Sequence, residues 1–189
     1  GTTATDKSDG DKVLDADQQV TINDAVDYTG LTVGKEYTIN GVLMDKSTGK
    51  PLEVDGKEVT GSTTFTPTTA DGTVNVEFTF NASALKGQTI VVFEKAYQGD
   101  KEVASHEDIN DEGQTVEVAN PKLGTTATDK SDGDKVLDAD QQVTINDAVD
   151  YTGLTVGKEY TINGVLMDKS TGKPLEVDGK EVTGSTTFT

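Results

Sequence analysis

The stretch VTINDAVDYT, residues 20–29, alternates apolar and polar side chains along its length. This alternation is typical of a β-strand with one face on a hydrophobic core and the other face in water. The apolar face carries Val20, Ile22, Val26 and Tyr28. Asp24 falls on that same face, where a carboxylate without a partner would be costly. The stretch therefore predicts a core-facing strand that contains one buried acid.

The same pattern recurs through residues 1–120 and predicts a series of short strands. VNVEFTF, residues 74–80, is a second clear example. Further strands are predicted at 2–5, 36–45, 58–66, 88–97, 101–106 and 114–119, with one helical turn at 81–87. KPLEVDGKEV is predicted to form a hairpin, because Asp and Gly are typical turn residues. Roughly eight short strands joined by polar turns predict an all-β fold, an immunoglobulin-like antiparallel β-sandwich.

The chain contains a long internal repeat. Residues 124–189 are identical to residues 1–66, at an offset of 124 − 1 = 123 residues. A period of this length indicates tandem domains, because each unit is long enough to form its own core. The predicted organisation is a complete domain at 1–120, a short linker at 121–124, and a truncated identical copy at 125–189.

The charge of the chain excludes some classes of partner. It has 34 acidic residues against 16 basic ones, and its formal net charge is −18. Such a field repels phosphate backbones and anionic lipid, so we expect no nucleic-acid partner and no membrane insertion. The chain also has no cysteine. Small domains outside the cell usually need a disulfide, so if this protein works there, we expect another device to supply that stability.

Two more polar side chains are predicted to face the core, like Asp24. Glu94 lies on an apolar face of the strand at 88–97, which is apolar on both sides and therefore predicted to be central. Gln114 heads the last strand on the same face as its valines. Each group would cost roughly 1–3 kcal/mol if it were buried without a partner, so we expect the three to satisfy one another. A purely structural polar cluster, or a β-bulge that reverses the parity of one strand, would give the same pattern.

The single histidine, His106, precedes Gln114 by eight residues. A lone histidine is most often structural or exposed to solvent, but it is also the side chain suited to proton transfer near neutral pH. A base, two carboxylates and an amide that converge would favour chemistry over a structural role.

These residues lie within blocks that resemble a known family. The blocks are GTTATDK at the start, INDAVDYTGLTVGKEYTINGVLMDKSTG, VVFE at 91–94 and HEDINDEGQTV at 106–116. Together they resemble the Thr–Gln ester-bond domains, also called VaFE repeats, of Gram-positive bacterial surface adhesins. The resemblance implies an immunoglobulin-like domain that forms an internal ester between a threonine on its first strand and a glutamine on its last, without an enzyme.

The resemblance also implies roles for particular residues. The cross-linked pair would be Thr2 and Gln114, although alternation alone does not distinguish Thr2 from Thr3 or Thr5. The assisting residues would be Asp24, Glu94 and His106. In the truncated copy, the equivalents of Thr2 and Asp24 are Thr125 and Asp147, but the copy has no counterpart of the other three site residues.

The implied chemistry is a single-turnover reaction rather than an enzyme activity. Histidine would take the threonine proton, one protonated carboxyl would polarise the amide oxygen, and the ionised carboxyl would orient the imidazolium as ammonia leaves. We expect no cofactor and no metal. The acidic segment DKSDGDKVLDAD lacks the spacing of an EF-hand loop and is interpreted as a solvated loop.

The function implied by the resemblance is a stalk domain of an adhesin, outside the cell and anchored to the bacterial cell wall. Its partners would be neighbouring repeats of the same array, and a host receptor would be bound through a domain not present here. The truncated copy would be an excerpt from a longer array, or another chain would complete it by supplying strands. The alternatives are an immunoglobulin-like spacer without a cross-link, a ligand-binding adhesin module, and a hydrolase that uses threonine, histidine and a carboxylate.

Overall fold

The computed structural model describes all residues from Gly1 to Thr189. The strands of the complete unit are β1 (Thr2–Asp6), β2 (Val13–Leu14), β3 (Val20–Tyr28), β4 (Tyr37–Asp45), β5 (Lys50–Pro51), β6 (Glu53–Val54), β7 (Lys57–Glu58), β8 (Thr60–Phe65), β9 (Gly72–Phe80), β10 (Thr89–Gln98), β11 (Lys101–His106) and β12 (Thr115–Val118). A short 3-10 helix, Glu112–Gln114, immediately precedes β12. The structure contains no helix with the length and apolar character needed to span a bilayer.

Two sheets pack face to face to form the sandwich. The small sheet has the order β1-β3-β9, and the large sheet has the order β2-β12-β10-β4-β5, with β8 on β4 and β11 on β10. All of these pairs are antiparallel except β2 with β12. The fold is therefore the predicted immunoglobulin-like antiparallel β-sandwich, and β10 is central as expected.

The way β11 and β12 share one edge of β10 shapes the site. Because β4 pairs along one edge of β10, both β11 and β12 lie along the other. β12 pairs with Thr89–Val91 and β11 pairs with 94–98. The chain thus leaves this edge after His106 and returns at Thr115, and the break lies directly beside Glu94.

The core lies between the sheets and is built from the apolar faces that alternation predicts. Its fully buried members include Leu14, Ile22, Leu43, Val76, Phe78, Ile90, Val92 and Val116. Burying each of these side chains contributes about 1.5–3 kcal/mol. Phe78 is the largest, and the glycines at 41 and 61 leave room for its ring.

The hairpin predicted in KPLEVDGKEV forms at its Asp-Gly turn. The hairpin β6–β7 turns at Asp55 and Gly56, both with positive φ, as a tight turn between strands requires.

The helical turn predicted at 81–87 was wrong. Two successive turns form there instead, with Leu85 N–H donating to Ala82 and Gln88 N–H donating to Leu85, because Gly87 adopts positive φ and ends any helical path.

The strands of the identical copy form separate two-stranded sheets. The chain divides into compact units Gly1–Thr152 and Gly153–Thr189. The strands of the copy are β13 (Lys122–Asp129), β14 (Ile145–Thr152), β15 (Tyr160–Val165), β16 (Met167–Asp168), β17 (Lys173–Pro174), β18 (Glu176–Val177), β19 (Lys180–Glu181) and β20 (Thr183–Phe188). β13 pairs with β14 in the register of β1 with β3, and β15 pairs with β20 in the register of β4 with β8. β13 begins at Lys122, inside the segment predicted to be a linker, so that segment continues a strand.

We expect Gly41→Ala to destabilise the sandwich. A Cβ at this position would lie 2.4 Å from Cζ of Phe78 in the core, so the ring must move, which typically costs about 1–3 kcal/mol. Thermal unfolding measured by calorimetry checks the loss. The matched control is Gly164→Ala, the same substitution in the copy, where the nearest atom to the new Cβ is a backbone oxygen 3.8 Å away. Equal melting temperatures for both variants would contradict the packing of Phe78 against Gly41.

Candidate functional site

Unpaired polar atoms concentrate at one place in the core. Seven of the eight buried side-chain nitrogen and oxygen atoms without a hydrogen-bond partner belong to Thr2, Asp24, Glu94 and Gln114. The eighth is Oε1 of Gln88. Buried polar groups in folded proteins are nearly always paired, so this cluster requires an explanation beyond packing.

The first strand presents Thr2 to the interior. Along β1, Ala4 and Asp6 are buried, and Thr2 shares their face, whereas Thr3 is exposed. The hydroxyl of Thr5 donates to the carbonyl oxygen of Asn23 at 3.5 Å. Among the three threonines of β1, therefore, the one with a buried and unpaired hydroxyl oxygen is Thr2.

Asp24 and Glu94 meet across the sandwich, because β3 belongs to the small sheet and β10 to the large sheet. Both side chains are buried, with relative exposures of 0% and 3%. Burial raises the pKa of Asp24 to about 6, although Glu94, Lys12 and His106 act to lower it. Burial and the adjacent negative charge of Asp24 raise the pKa of Glu94 to about 9.

One proton therefore resides on this pair near neutral pH, and it is held by Glu94. Two ionised carboxylates accept hydrogen bonds but cannot donate one, so they can hydrogen bond each other only when one is protonated. A protonated Glu94 can donate to Asp24 or to another acceptor in the cluster. The sequence left open which carboxyl holds the proton. Lys12 and His106 lower the pKa of Asp24, whereas only burial and Asp24 act on Glu94, and this difference favours the proton on Glu94.

His106 contacts a carboxylate that the sequence analysis did not identify. Its Nε2 lies 2.6 Å from Oδ2 of Asp111, and this contact lowers the pKa of Asp111. Asp24 interacts with His106 through its charge, whereas the hydrogen bond to the ring comes from Asp111. His106 pairs opposite Glu94 on β11, and Asp111 in the following loop reaches back to the ring. The five-residue spacing of His106 and Asp111 crosses an irregular loop, which alternation does not describe.

The 3-10 helix positions Gln114. Asp111 caps it, accepting the backbone N–H of Gly113 at 2.8 Å, and the N–H of Gln114 donates to the carbonyl of Asp111. Gln114 is fully buried, and both polar atoms of its amide are unpaired. A Cβ at Gly113 would lie 3.1 Å from the carbonyl oxygen of Thr2. The glycine thus lets the backbone before Gln114 approach the backbone of Thr2.

Lys12 is a second residue that the sequence analysis missed. Its ammonium donates to the carbonyl oxygens of Ala4 and Gly113, and so joins β1 to the 3-10 helix. Burial lowers the pKa of Lys12, while Asp24 and Asp111 act to raise it.

The N-terminal acidic loop brings three carboxylates together. One oxygen each from Asp6, Asp9 and Asp11 lies within 4.8 Å of the others. Each accepts a backbone N–H of its own turn, from Ser8, Asp11 and Val13 respectively. These hydrogen bonds are typical of turns, so turn formation explains why the three carboxylates lie close together.

Comparison with known proteins identifies the family. The profile of the T-Q ester bond containing domain matches residues 1–118 and again residues 121–189. The chain belongs to this family. No curated protein sequence matches it.

Solved structures with a similar fold include two crystal forms of a bacterial adhesin from Mobiluncus mulieris that contains intramolecular disulfide, isopeptide and ester bond cross-links. The form in space group P1 is 16% identical, with a TM-score of 0.55 over 99% of this chain and 92% of that one. The form in space group P21 is 17% identical, with a TM-score of 0.54 over 97% of this chain and 91% of that one. At this identity the likeness supports the architecture alone.

The copy of the ester bond domain does not build this cluster. In β13 and β14, Ala127 pairs with Asp147 and Thr125 pairs with Val149, as Ala4 pairs with Asp24 in the complete domain. Thr125 and Asp147 are nevertheless exposed. The register alone therefore does not bury the site residues, because burial requires the strands that follow.

The raised pKa of Glu94 predicts a pH dependence for the ester bond domain. The Thr2→Ala protein has no nucleophile and therefore keeps both carboxyls unreacted. Its folded state holds the Glu94 proton more tightly than the unfolded chain, in which the pKa of Glu94 has its ordinary value of 4.5. The Glu94 contribution to stability is thus fully present below pH 4.5 and is lost as pH rises toward about 9. The loss amounts to at most about 1.4 kcal/mol per pH unit.

Denaturant unfolding of Thr2→Ala protein between these pH values checks this dependence. Adding Glu94→Gln should flatten the slope above about pH 6, where Asp24 no longer contributes, whereas Glu58→Gln, at an exposed position on β7, should leave it unchanged. A slope between about pH 6 and about pH 9 that persists in the Glu94→Gln protein would contradict a protonated Glu94.

Proposed function

We propose that the complete unit is a structural stalk domain of a bacterial surface adhesin and that it cross-links itself through an ester between Thr2 and Gln114. The observation that supports this most directly is the buried cluster: an unpaired hydroxyl, an unpaired amide and two carboxyls that interact with each other, in a chain of the T-Q ester bond family. Ester formation would consume both the hydroxyl and the amide, and so would account for two buried groups that have no hydrogen-bond partner.

The proposed reaction follows from the chemistry of these groups. Oγ1 of Thr2 attacks the side-chain carbonyl carbon of Gln114, and its proton passes to His106. Because Nε2 of His106 is held by Asp111, the proton is taken by Nδ1. The carbon–nitrogen bond then breaks, the amide nitrogen receives the proton from His106, and ammonia leaves. One ester and one ammonia replace one hydroxyl and one primary amide, so the step balances without another reactant.

The carboxyl pair supplies the electrostatic help. Protonated Glu94 donates toward the amide oxygen, where negative charge develops, and ionised Asp24 stabilises the positive charge that forms on His106. These two protonation states coexist between about pH 6 and about pH 9. A buried site favours this arrangement because water would otherwise compete for the same donors.

The ester would join the two sheets near the ends of the domain sequence. Thr2 lies on β1 of the small sheet, and Gln114 precedes β12 of the large sheet, 114 − 2 = 112 positions later. Loop-closure entropy alone assigns such a cross-link about 4–5 kcal/mol of stabilisation. The ester, a covalent bond, would carry tension that enters at β1 and leaves after β12. It would also make unfolding rarer, so proteases would reach the chain less often.

This function places the protein outside the cell, at the surface of a Gram-positive bacterium and anchored to its cell wall. Support comes from the family and from the adhesin with the similar fold. Neighbouring repeats of the array would be its direct partners. Both reacting groups are consumed, so the chemistry is a single turnover and not an enzyme activity.

The cross-link predicts a mass for the intact protein. It should be lighter than its sequence by one ammonia, because only the complete unit contains both partners. Intact-mass spectrometry measures the loss, and tandem spectra should show a branched peptide that joins Thr2 to Gln114.

Matched variants locate the bond. Thr2→Ala and Gln114→Ala should each abolish the loss, while Thr125→Ala, in the identical sequence of the copy, should retain it. Parent protein at its full sequence mass would refute the ester and leave an immunoglobulin-like spacer. Hydrolysis of an external ester by the Gln114→Ala protein would instead favour a hydrolase.

We also propose that residues 125–189 accept the strands of residues 67–120 from another chain. Support comes from side chains that are buried in the complete unit but exposed in the copy. Val20 and Leu14 are 9% and 0% exposed, whereas their equivalents Val143 and Leu137 are 44% and 38% exposed. Since the two sequences are identical, the strands that cover the first also fit the second.

Refolding the protein with a separate fragment of residues 67–120 tests this complementation. We expect a covalent adduct, lighter than the sum of the two by one ammonia in addition to the internal loss, with Thr125 joined to the fragment's Gln114. Thr125→Ala should remove the covalent bond but not the association. No association, under conditions in which a 1–66 fragment binds the 67–120 fragment, would contradict the proposal.

A further inference from the structure

We propose that Lys12 is a positioning residue for ester formation, holding the strand of the nucleophile against the backbone that carries the electrophile. This inference rests on the proposed function, and it concerns a residue outside the reacting group. Its basis is the pair of hydrogen bonds from one ammonium to two elements of the site.

The two acceptors lie close to the reacting residues. Nζ of Lys12 donates to the carbonyl of Ala4 at 2.5 Å and to the carbonyl of Gly113 at 2.7 Å. Ala4 is two residues from Thr2 on the same face of β1, and Gly113 directly precedes Gln114. One side chain thus connects the first strand to the 3-10 helix within one or two residues of each reactant.

The geometry suits a flexible cationic side chain that has several donors. A lysine carries three donors and no acceptor, so it can bridge two carbonyls that belong to different elements. Both acceptors are backbone oxygens, and their positions follow the backbones of β1 and the helix. Fixing these backbones restricts the distance between Thr2 and Gln114, and small misplacements of reacting groups have large effects on rate.

The copy shows what the lysine does when the helix is absent. Lys135, the equivalent of Lys12, still donates to the carbonyl of Ala127, the equivalent of Ala4. No residue of the copy corresponds to Gly113, because the repeat matches residues 1–66 alone. The bond to the first strand therefore forms locally, and the bond to Gly113 is the contact specific to a complete site.

The charge of Lys12 also acts on the carboxyl pair. Asp24 is faced by Lys12, by Glu94 from β10, by His106 from β11 and by the amide of Thr3 from β1. Lys12 is in turn close to Asp111. Removing this cation would raise the pKa of Asp24 from about 6, so the ionised form that the reaction uses would appear at higher pH.

The experiment follows ammonia loss in time. Protein isolated unfolded in denaturant, before it reacts, is diluted to start folding, quenched with acid at intervals, and analysed by intact mass. The variants are Lys12→Met, Lys12→Arg and, as the matched control, Lys135→Met. Rates are expressed per folded molecule, with the folded fraction taken from circular dichroism, so that a loss of stability does not count as a loss of rate.

We expect Lys12→Met to slow ammonia loss by roughly 10- to 100-fold. In a plot of this rate against pH, the rise on the acidic side, here called the acid limb, should move to higher pH. Lys12→Arg should recover most of the rate and restore the limb, because the guanidinium keeps the charge and donates to both carbonyls. Lys135→Met should match the parent.

A Lys12→Met protein that reacts at the parent rate per folded molecule, with an unchanged acid limb, would overturn the inference. So would a slow Lys12→Met protein whose limb does not move and whose rate Lys12→Arg fails to recover, because that result describes a structural role alone. Failure of the parent itself to lose ammonia would overturn the proposed ester instead, so the two failures are distinguishable.

Discussion

Two carboxyl groups buried side by side impose the main constraint on this domain. Asp24 extends from the small sheet and Glu94 from the large sheet, so they meet where the sandwich is closed to water. Neither can ionise at its ordinary pH without cost, and together they retain one proton across the neutral range. Apolar residues of similar volume are often at least as stable as buried charged groups, so packing alone does not account for this pair.

The same constraint connects the fold to the chemistry. The Thr2 hydroxyl and the Gln114 amide are buried as well, and each is turned inward by a different structural feature. Alternation along β1 turns Thr2 inward, whereas Gln114 depends on a capped 3-10 helix and on the small size of Gly113. A bond between these side chains would staple the sheets where no disulfide can, since the chain has no cysteine.

The two identical segments distinguish the features that local sequence determines, such as strand register, from those that require the complete sandwich, such as burial. Residues 1–66 and 124–189 are identical, and both form the same hairpin registers. Asp24 is nevertheless buried and Asp147 exposed, and the two carboxyls therefore occupy opposite environments. The polar cluster is a property of the assembled sandwich, because its dielectric environment comes from the strands at 67–120.

Much of this protein could be predicted from its sequence. Alternation located the main strands and the central position of β10, and it placed Asp24 and Glu94 in the core, because side-chain direction in a strand depends only on parity. Gln114 is buried as predicted, but it lies in the 3-10 helix before β12, so strand parity does not set its direction. The resemblance to a family selected Thr2. Tertiary structure alone decided the contact of His106 with Asp111, the bridge made by Lys12, and the location of the proton on Glu94. These features depend on an irregular loop, on a long flexible side chain, and on the distance between charges in different sheets. None of these has a period along the chain, so only the folded arrangement determines them.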